Sequence, residues 1–171
     1  TAIDLAYRIG KATQAAMGEA YQPTGTEEVI EYLYEAGRYG KKTKAGYYEY
    51  DEAGKRRGIW PGLAEKFPRA EDQPDVQEVM NRLALSQSFE AVRALEEDVL
   101  LDIREGDVGA ILGWGFMPWT GGPFSYLDIL GAEEAVRRGE QLAASHGQAF
   151  EPPKLLRELA ANQSQFYERF G

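Results

Sequence analysis

The stretch that decides the fold is residues 147–168, which read GQAFEPPKLLRELAANQSQFYE. Gly147 ends one helical pattern, Pro152-Pro153 begins another, and its leucines at 155, 156 and 159 form a single apolar face. The same order of features occurs near the N-terminus: a helix, then Gly18, Tyr21, Pro23, a helix with Leu33 and Ala36, and finally Tyr47-Tyr48-Glu49. Because such self-similarity indicates a repeated unit, the sequence predicts two degenerate copies of one helical unit packed together.

The N-terminal copy predicts two helices and a hairpin. Apolar residues at helical spacing and a stop at Gly18 define the first helix, with Leu5, Ile9, Ala12 and Ala16 on its face. Thr24 and Glu27 have capping-box spacing for a second helix, which would bury Val29, Ile30 and Leu33 and end at Gly37. The aromatic run 47–50 predicts a strand, 51–54 its turn, and 58–60 a partner strand.

The second half begins after a proline-rich connector, residues 61–74, with one short helical turn. Pro74 is well placed to start a long helix to about Glu97, whose expected apolar stripe is Val76, Val79, Met80, Leu83, Gln87, Val92 and Leu95. A glycine- and aromatic-rich stretch, 106–131, follows it. Residues 132–145 then form a helix before Gly147.

Composition excludes several classes of protein. The 171 residues are 43% hydrophobic and carry a formal charge of −9, which is opposite to the balance of a protein that grips nucleic-acid phosphates. No apolar run approaches the roughly 18–20 residues that span a bilayer. The absence of cysteine fits a reducing compartment, and we expect a cytoplasmic location. The abrupt start at Thr1, within a helical pattern, suggests a piece of a longer protein.

Two features could carry chemistry, and for each the structural interpretation is favoured. His146, the one histidine, lacks a local metal-type or catalytic pattern, so we expect a solvated side chain at a helix end. Residues 113–118, GWGFMP, begin like a dinucleotide fingerprint but lack its third glycine and its strand–turn–helix context. We therefore expect no nucleotide at these residues. We expect instead a turn packed with aromatic side chains, and close helix packing at Gly109 and Gly113. The aromatic side chains of the turn would be Trp114, Phe116, Trp119, Phe124 and Tyr126.

The charge distribution has one anomaly, at residues 38–57. Seven basic side chains stand there against three acidic ones, a local charge of +4 that leaves −13 on the rest of the chain. The basic residues are Arg38, Lys41, Lys42, Lys44, Lys55, Arg56 and Arg57. Such a patch could attract coenzyme phosphates or an acidic neighbouring domain. The alternative is a solvated hairpin whose lysines protect an exposed edge.

Two signatures resemble the C-terminal domains of 3-hydroxyacyl-CoA dehydrogenases, above all those of multifunctional fatty-acid β-oxidation α subunits. Residues 35–50, EAGRYGKKTKAGYYEY, are similar to the EAGRxGxKxxxGFYxY signature that ends the first C-terminal repeat of the family. Residues 113–131, GWGFMPWTGGPFSYLDILG, are similar to its GxGFPxxxGGxFxxxDxLG loop, preceded by the acid of Gly106-Asp107. Departures are Met117 for a proline, Phe89 for an asparagine and Asp98 for a glycine.

The resemblance implies an all-α fold of two tandem degenerate repeats of the 6-phosphogluconate-dehydrogenase-C-terminal-like type, with a short β-hairpin between them. Residues 1–60 would be a first repeat with truncated N-terminus and the hairpin, 61–74 a connector, and 75–171 the second repeat. The parent would be an NAD-dependent L-3-hydroxyacyl-CoA dehydrogenase, fused in multifunctional members to an enoyl-CoA hydratase, in which this part covers the substrate cleft.

The resemblance assigns no catalytic, cofactor-binding or metal residue to this chain, because the NAD glycines and the catalytic His-Glu pair belong to an N-terminal Rossmann domain. Arg38, Lys41 and Lys42 are candidate ligands of the CoA phosphates. Expected partners are that Rossmann domain, acyl-CoA, and a second subunit or a thiolase, with neither nucleic acid nor a membrane span. The alternative function is a free-standing helical module that binds acyl-CoA or another protein.

Overall fold

The structure, a computed structural model, describes residues 2–171. The described part of the chain contains nine α-helices and one two-stranded hairpin, which confirms an all-α fold with a short β-hairpin. The helices are α1 (Ile3–Met17), α2 (Thr26–Glu35), α3 (Pro61–Lys66), α4 (Val76–Glu96), α5 (Ile103–Trp114), α6 (Pro123–Leu130), α7 (Ala132–His146), α8 (Lys154–Ala161) and α9 (Phe166–Phe170). The chain divides into two compact units, and the division along the sequence falls between Gln73 and Pro74.

The first unit is built on the pairing of α1 with α2. Tyr7 of α1 stacks on Tyr34 of α2 with ring centroids 4.0 Å apart, and Leu33 is fully buried. The helix predicted to stop at Gly18 is confirmed, but its apolar residues Leu5 and Ile9 are 49% and 55% exposed, whereas Ile3 is buried. Within its unit α1 packs mainly on one neighbouring helix, so only a narrow face is covered.

The hairpin consists of β1 (Tyr48–Tyr50) and β2 (Arg56–Ile59), which run antiparallel with Tyr48 opposite Ile59. Its turn is closed by Asp51, whose Oδ1 accepts a hydrogen bond of 2.8 Å from the Lys55 amide. Gly54 lies at φ +74, a conformation that glycine adopts without a steric cost. The predicted hairpin is therefore confirmed, with its second strand starting two residues earlier than expected.

The second unit contains the larger hydrophobic core. The buried core side chains come from α4 to α9: Leu85, Phe89, Val92, Ile103, Phe124, Leu127, Ala135, Leu142, Leu156, Leu159 and Phe166. Close approach of α7 to this core depends on Gly139, because a methyl group there would lie 2.7 Å from the Phe89 ring and 2.8 Å from Pro152. No helix in residues 2–171 is both long and apolar enough to cross a membrane.

The predicted apolar face of α4 was largely wrong. Val76 is 73% exposed, Met80 48% and Leu83 60%, whereas the buried residues are Ala84, Leu85, Ser88, Phe89 and Val92. A 21-residue helix with apolar side chains around much of its circumference offers several possible faces. Which face is buried is decided by α6, α7 and α8, which pack against α4.

The glycine- and aromatic-rich stretch differs from expectation in two respects. Phe116 and Phe124 are buried as predicted, but Trp114 is 69% exposed and Trp119 is 78% exposed. Gly109 and Gly113 were expected to permit close packing, yet a methyl group on either would meet no heavy atom within 4 Å. Their role is therefore not helix packing within this unit.

The two copies inferred from the sequence share part of their element order. In each, a 15-residue helix (α1 or α7) ends at a glycine of positive φ, a 3-10 turn follows, and a shorter helix (α2 or α8) comes next. They diverge afterwards, because Tyr48-Glu49 lies in β1 whereas Phe166-Tyr167-Glu168 begins α9. The repeat boundaries and the type of repeat remain a prediction.

Candidate functional site

The basic residues of the first signature lie on a closed loop, residues 40–45. The Gly40 amide donates to the Ala45 carbonyl at 2.6 Å, and the Ala45 amide donates back to the Gly40 carbonyl at 3.2 Å. Thr43 Oγ1 donates inside the loop and accepts from the Tyr39 amide at 3.0 Å. Gly46 completes the closure, since a methyl group there would lie 2.9 Å from Gly40 Cα. The loop therefore presents its lysines from a backbone fixed by hydrogen bonds.

Arg38 joins this loop to the hairpin. Its Nε donates to the Gly46 carbonyl at 2.9 Å and its Nη2 to the Tyr48 carbonyl at 3.3 Å. The guanidinium also pairs with Glu49 at 3.1 Å and stacks 4.2 Å from the centre of the Trp60 ring. Its side chain is only 11% exposed. These contacts occupy the planar donor fork of Arg38 and make it an anchor of the fold.

The two lysines predicted beside Arg38 differ in their surroundings. Lys42 Nζ pairs with Asp4 of α1 at 2.6 Å, and the pairing holds the pKa of Asp4 below its ordinary value. Lys41 has no carboxylate within 4 Å among residues 2–171, and its side chain extends past Gly54 in the hairpin turn. The predicted set is thus close in space, but each member has a different environment.

Lys41 lines a cleft between the loop and the hairpin. The cleft has a volume of about 420 Å³ and is lined by Ile3, Gly40, Lys41, Tyr47, Tyr48, Tyr50, Gly54 and Arg56. Arg56 is its second cation; its guanidinium lies 4.6 Å from the centre of the Tyr48 ring. Sequence reasoning placed Arg56 in the basic patch but not in the site. The alternation of side chains along a strand could have separated Arg56 from Arg57, because neighbouring residues of β2 point to opposite faces.

In the second unit, the acids of the second signature hold helix N-termini. Asp107 of α5 is 2% exposed, and its carboxylate accepts hydrogen bonds from the Phe124 amide (2.7 Å), the Ser125 amide (3.1 Å), Ser125 Oγ (2.6 Å) and the Tyr167 hydroxyl (2.9 Å). A carboxylate at a helix N-terminus satisfies free amides and complements the helix dipole. Gly122 permits this arrangement, since a methyl group there would lie 2.5 Å from Asp107 Cα.

Asp128 of α6 does the same for α9. Its two carboxylate oxygens accept from the Phe166 amide at 2.7 Å and from the Tyr167 amide at 3.0 Å. Burial raises the pKa of Asp128 above its ordinary value, although these hydrogen bonds oppose that shift. Asp107 and Asp128 therefore hold the N-termini of α6 and α9, a role that local sequence does not indicate because the partners are 17 to 60 positions away.

His146 has a partner that the sequence did not indicate. Its Nε2 lies 3.1 Å from Glu78 Oε1, and Glu78 also pairs with Arg82 one turn further along α4. His146 is also the last residue of α7, where the helix dipole favours a cation. Among the described residues, no three His, Asp or Glu side chains gather in a way that could hold a metal ion.

The glycines that begin like a dinucleotide fingerprint lie at the end of a helix. Gly113 is inside α5, and Gly115 ends that helix in the left-handed conformation at φ +78. A dinucleotide fingerprint instead follows a strand and opens a helix, whose N-terminal amides receive the pyrophosphate. The geometry of residues 113–118 is the reverse of that arrangement.

A second cavity, of about 240 Å³, lies between α1 and α2 and has mainly apolar walls. Two polar pairs flank it: Tyr21 donates to Glu27 at 2.5 Å, and Lys11 pairs with Glu31 at 2.9 Å. The Tyr21 hydroxyl, with backbone amides, lowers the pKa of Glu27 to about 2. Because its charges are already paired, this cavity offers a small apolar surface and no free ionic group.

Comparison with known proteins finds relatives over nearly the whole chain. The fatty acid oxidation complex subunit alpha of Idiomarina loihiensis is 32% identical over 169 residues, which are 97% of this chain and 23% of that protein. The protein of the same name from Shewanella oneidensis is 31% identical over 175 residues, 96% of this chain and again 23% of the relative. The chain thus spans about a quarter of the length of these relatives. It matches no protein-family model.

Proposed function

We propose that this chain, which is similar over nearly its full length to one region of the fatty acid oxidation complex alpha subunits, is the C-terminal helical part of an NAD-dependent L-3-hydroxyacyl-CoA dehydrogenase. In the parent it covers the substrate cleft and makes contacts with the Rossmann domain or with another subunit. The isolated chain has no catalytic activity.

The observation that carries this proposal is the match of 96–97% of the chain to proteins named for fatty acid oxidation. Both signatures lie inside the matched region. Each has a structural role in the present fold, since the first closes the loop of residues 40–45 and the second holds the N-termini of α6 and α9. A region with these roles supports a neighbouring active site without supplying its reactive groups.

The exposed face of α1 supports a covering role. Leu5, Ile9 and Met17 are each about half exposed, at 49%, 55% and 48%. Apolar side chains repeated at helical spacing on a surface indicate a face that another element covers. The proposed cover is the preceding part of the parent chain, against which α1 would help to exclude water from the reaction.

The chemistry would then be divided between two parts of one polypeptide. A Rossmann domain would hold the NAD, which would supply the hydride acceptor, and the same domain would contribute the His-Glu pair for removal of the hydroxyl proton. The part described here would restrict water and line the path of the acyl chain. Arg38, Lys41 and Lys42 would lie towards the coenzyme phosphates, with Arg38 acting by positioning the loop.

The test compares three proteins by oxidation of NADH in the presence of acetoacetyl-CoA. The 171-residue chain should show no turnover, the full parent should be active, and the parent truncated before this region should lose at least about a hundredfold in rate, because a reacting group displaced by 1 Å can cost that much. Hydration of crotonyl-CoA, in a parent fused to a hydratase, checks that the truncated protein is folded. Full dehydrogenase activity without this region would refute the proposal.

A free-standing module remains the second candidate, because residues 74–171 contain a complete core of their own. A module of this kind would occur in cells as a polypeptide near 19.1 kDa and would bind acyl-CoA or a protein such as thiolase. An immunoblot of the source cells separates the two. A band several times larger favours the fused dehydrogenase, and a band near 19.1 kDa favours the module.

A further inference from the structure

We propose that the cleft between the loop of residues 40–45 and the hairpin binds a phosphate group, with Lys41 and Arg56 as the two cationic ligands. The ligand class is a phosphate monoester or diphosphate carried on a coenzyme. This proposal rests on the proposed function for the identity of the coenzyme, but not for the existence of the site.

Lys41 and Arg56 are the cations of the basic patch that combine a place in the cleft lining with the lack of a carboxylate partner in the described chain. Among residues 2–171, Glu49 pairs with Arg38 at 3.1 Å and Asp51 pairs with Arg57 at 2.9 Å, while Lys42 is held by Asp4. Lys41 and Arg56 have no carboxylate within 4 Å in this described part of the chain, yet both line the same cleft. A concave site with two unneutralised cations has a positive potential that attracts a dianion.

The remaining walls suit a phosphate as well. Three tyrosines line the cleft, and a tyrosine hydroxyl can donate a hydrogen bond to a phosphate oxygen. Arg56 is held in place by stacking on the Tyr48 ring, which reduces the rotamer freedom it would lose on binding. A guanidinium offers two parallel donors to phosphate oxygens, whereas an ammonium acts as a point charge.

The volume of the cleft, about 420 Å³, exceeds what one phosphate needs. It is compatible with a phosphate that remains attached to a larger molecule. The backbone around it is fixed, because the loop is closed by the Gly40–Ala45 pair and is joined to β1 by Arg38. Arg38 is therefore a positioning residue for this site, and Lys41 and Arg56 are its binding residues.

The test measures binding to the 171-residue chain by calorimetry and by amide chemical shifts, with three probes: inorganic phosphate, coenzyme A, and dephospho-coenzyme A, which lacks the 3′-phosphate. Coenzyme A should bind, and Arg56→Gln and Lys41→Gln should each weaken it about tenfold, the usual effect of losing one charged hydrogen bond. Arg56→Lys should recover part of the loss. The matched control is Arg57→Gln, which removes the same charge from the same strand and should change affinity less than twofold.

The probes identify the ligand. Loss of affinity for dephospho-coenzyme A relative to coenzyme A assigns the cleft to the 3′-phosphate, and equal affinity assigns it to the diphosphate. Equal effects of Arg56→Gln and Arg57→Gln would overturn the proposal, because binding would then follow overall charge. Failure of coenzyme A and phosphate to shift amides of residues 40–56 would also overturn it. Neither result would bear on the NADH assay, which tests the proposed function.

Discussion

Replacing Asp107 by alanine should be among the most destabilising single changes in residues 74–171. The carboxylate is 2% exposed and accepts four hydrogen bonds, two of them from backbone amides at the start of α6. The hydroxyls of Ser125 and Tyr167 can rotate to other acceptors, but the Phe124 amide is buried and cannot. Leaving the Phe124 amide without an acceptor should by itself lower the free energy of unfolding by about 1–3 kcal/mol.

The total follows from adding the other partners. Loss of the Ser125 amide bond resembles loss of a helix N-cap, about 1 kcal/mol, and the two hydroxyl bonds add roughly 0.5 kcal/mol each. We therefore expect Asp107→Ala to lower the free energy of unfolding by about 3–5 kcal/mol. This is a large part of the roughly 5–15 kcal/mol that stabilises a domain.

The matched control is Asp75→Ala. Asp75 also caps a helix, with its carboxylate accepting from the Gln77 amide at 2.8 Å and the Glu78 amide at 3.3 Å, but it is exposed. Water can replace those bonds, so the expected loss is about 1 kcal/mol. Urea unfolding, followed at the amide signals of residues 74–171, measures both changes. A loss for Asp107→Ala no greater than that for Asp75→Ala would refute the argument that burial makes this carboxylate essential.

Two further predictions concern Asp98 and Asp128. Asp98 has φ +55 at the end of α4, so Asp98→Gly should raise the free energy of unfolding by roughly 0.5–1 kcal/mol, and a lower thermal midpoint for the variant would contradict this. Because burial raises the pKa of Asp128, the folded state holds this proton more tightly than the unfolded state, and stability falls as pH rises from the ordinary pKa of 3.8 to the higher pKa of the folded state. The stability of the wild type relative to Asp128→Asn should therefore fall between pH 4 and pH 7 in denaturant titrations, and a rise would show that the hydrogen bonds to Phe166 and Tyr167 dominate instead.

The sequence by itself determined several helix ends and the hairpin, although α5 and α6, which occupy much of residues 106–131, were not predicted as helices. Gly18, Gly37 and Gly147 all have positive φ at or just beyond helix ends, as their positions predicted, because a residue without a Cβ adopts that conformation freely. The hairpin followed from an aromatic run and its turn residues. These features depend on the conformational preferences of single residues and their close neighbours, so they can be inferred without knowing the partners.

The candidate site was predicted in outline. The basic patch contained every cation of the cleft, but the sequence grouped Arg38, Lys41 and Lys42 because they are adjacent on the first signature. Only the tertiary structure brings Arg56 to Lys41 and commits Arg38 to the carbonyls of Gly46 and Tyr48. Whether a cation is free depends on where its carboxylate partners lie, and pairs such as Lys42 with Asp4 join positions 38 residues apart.

Tertiary structure also decided which apolar residues are buried. On α4 the exposed Met80 and Leu83 and the buried Leu85 and Phe89 do not differ in hydrophobicity enough to be told apart by pattern. Burial depends on which helices pack there, and the residues that hold those helices, Asp107 and Asp128, act over 17 to 60 positions. Local preferences therefore fix the elements of this chain, while its core and its charged cleft are consequences of long-range packing.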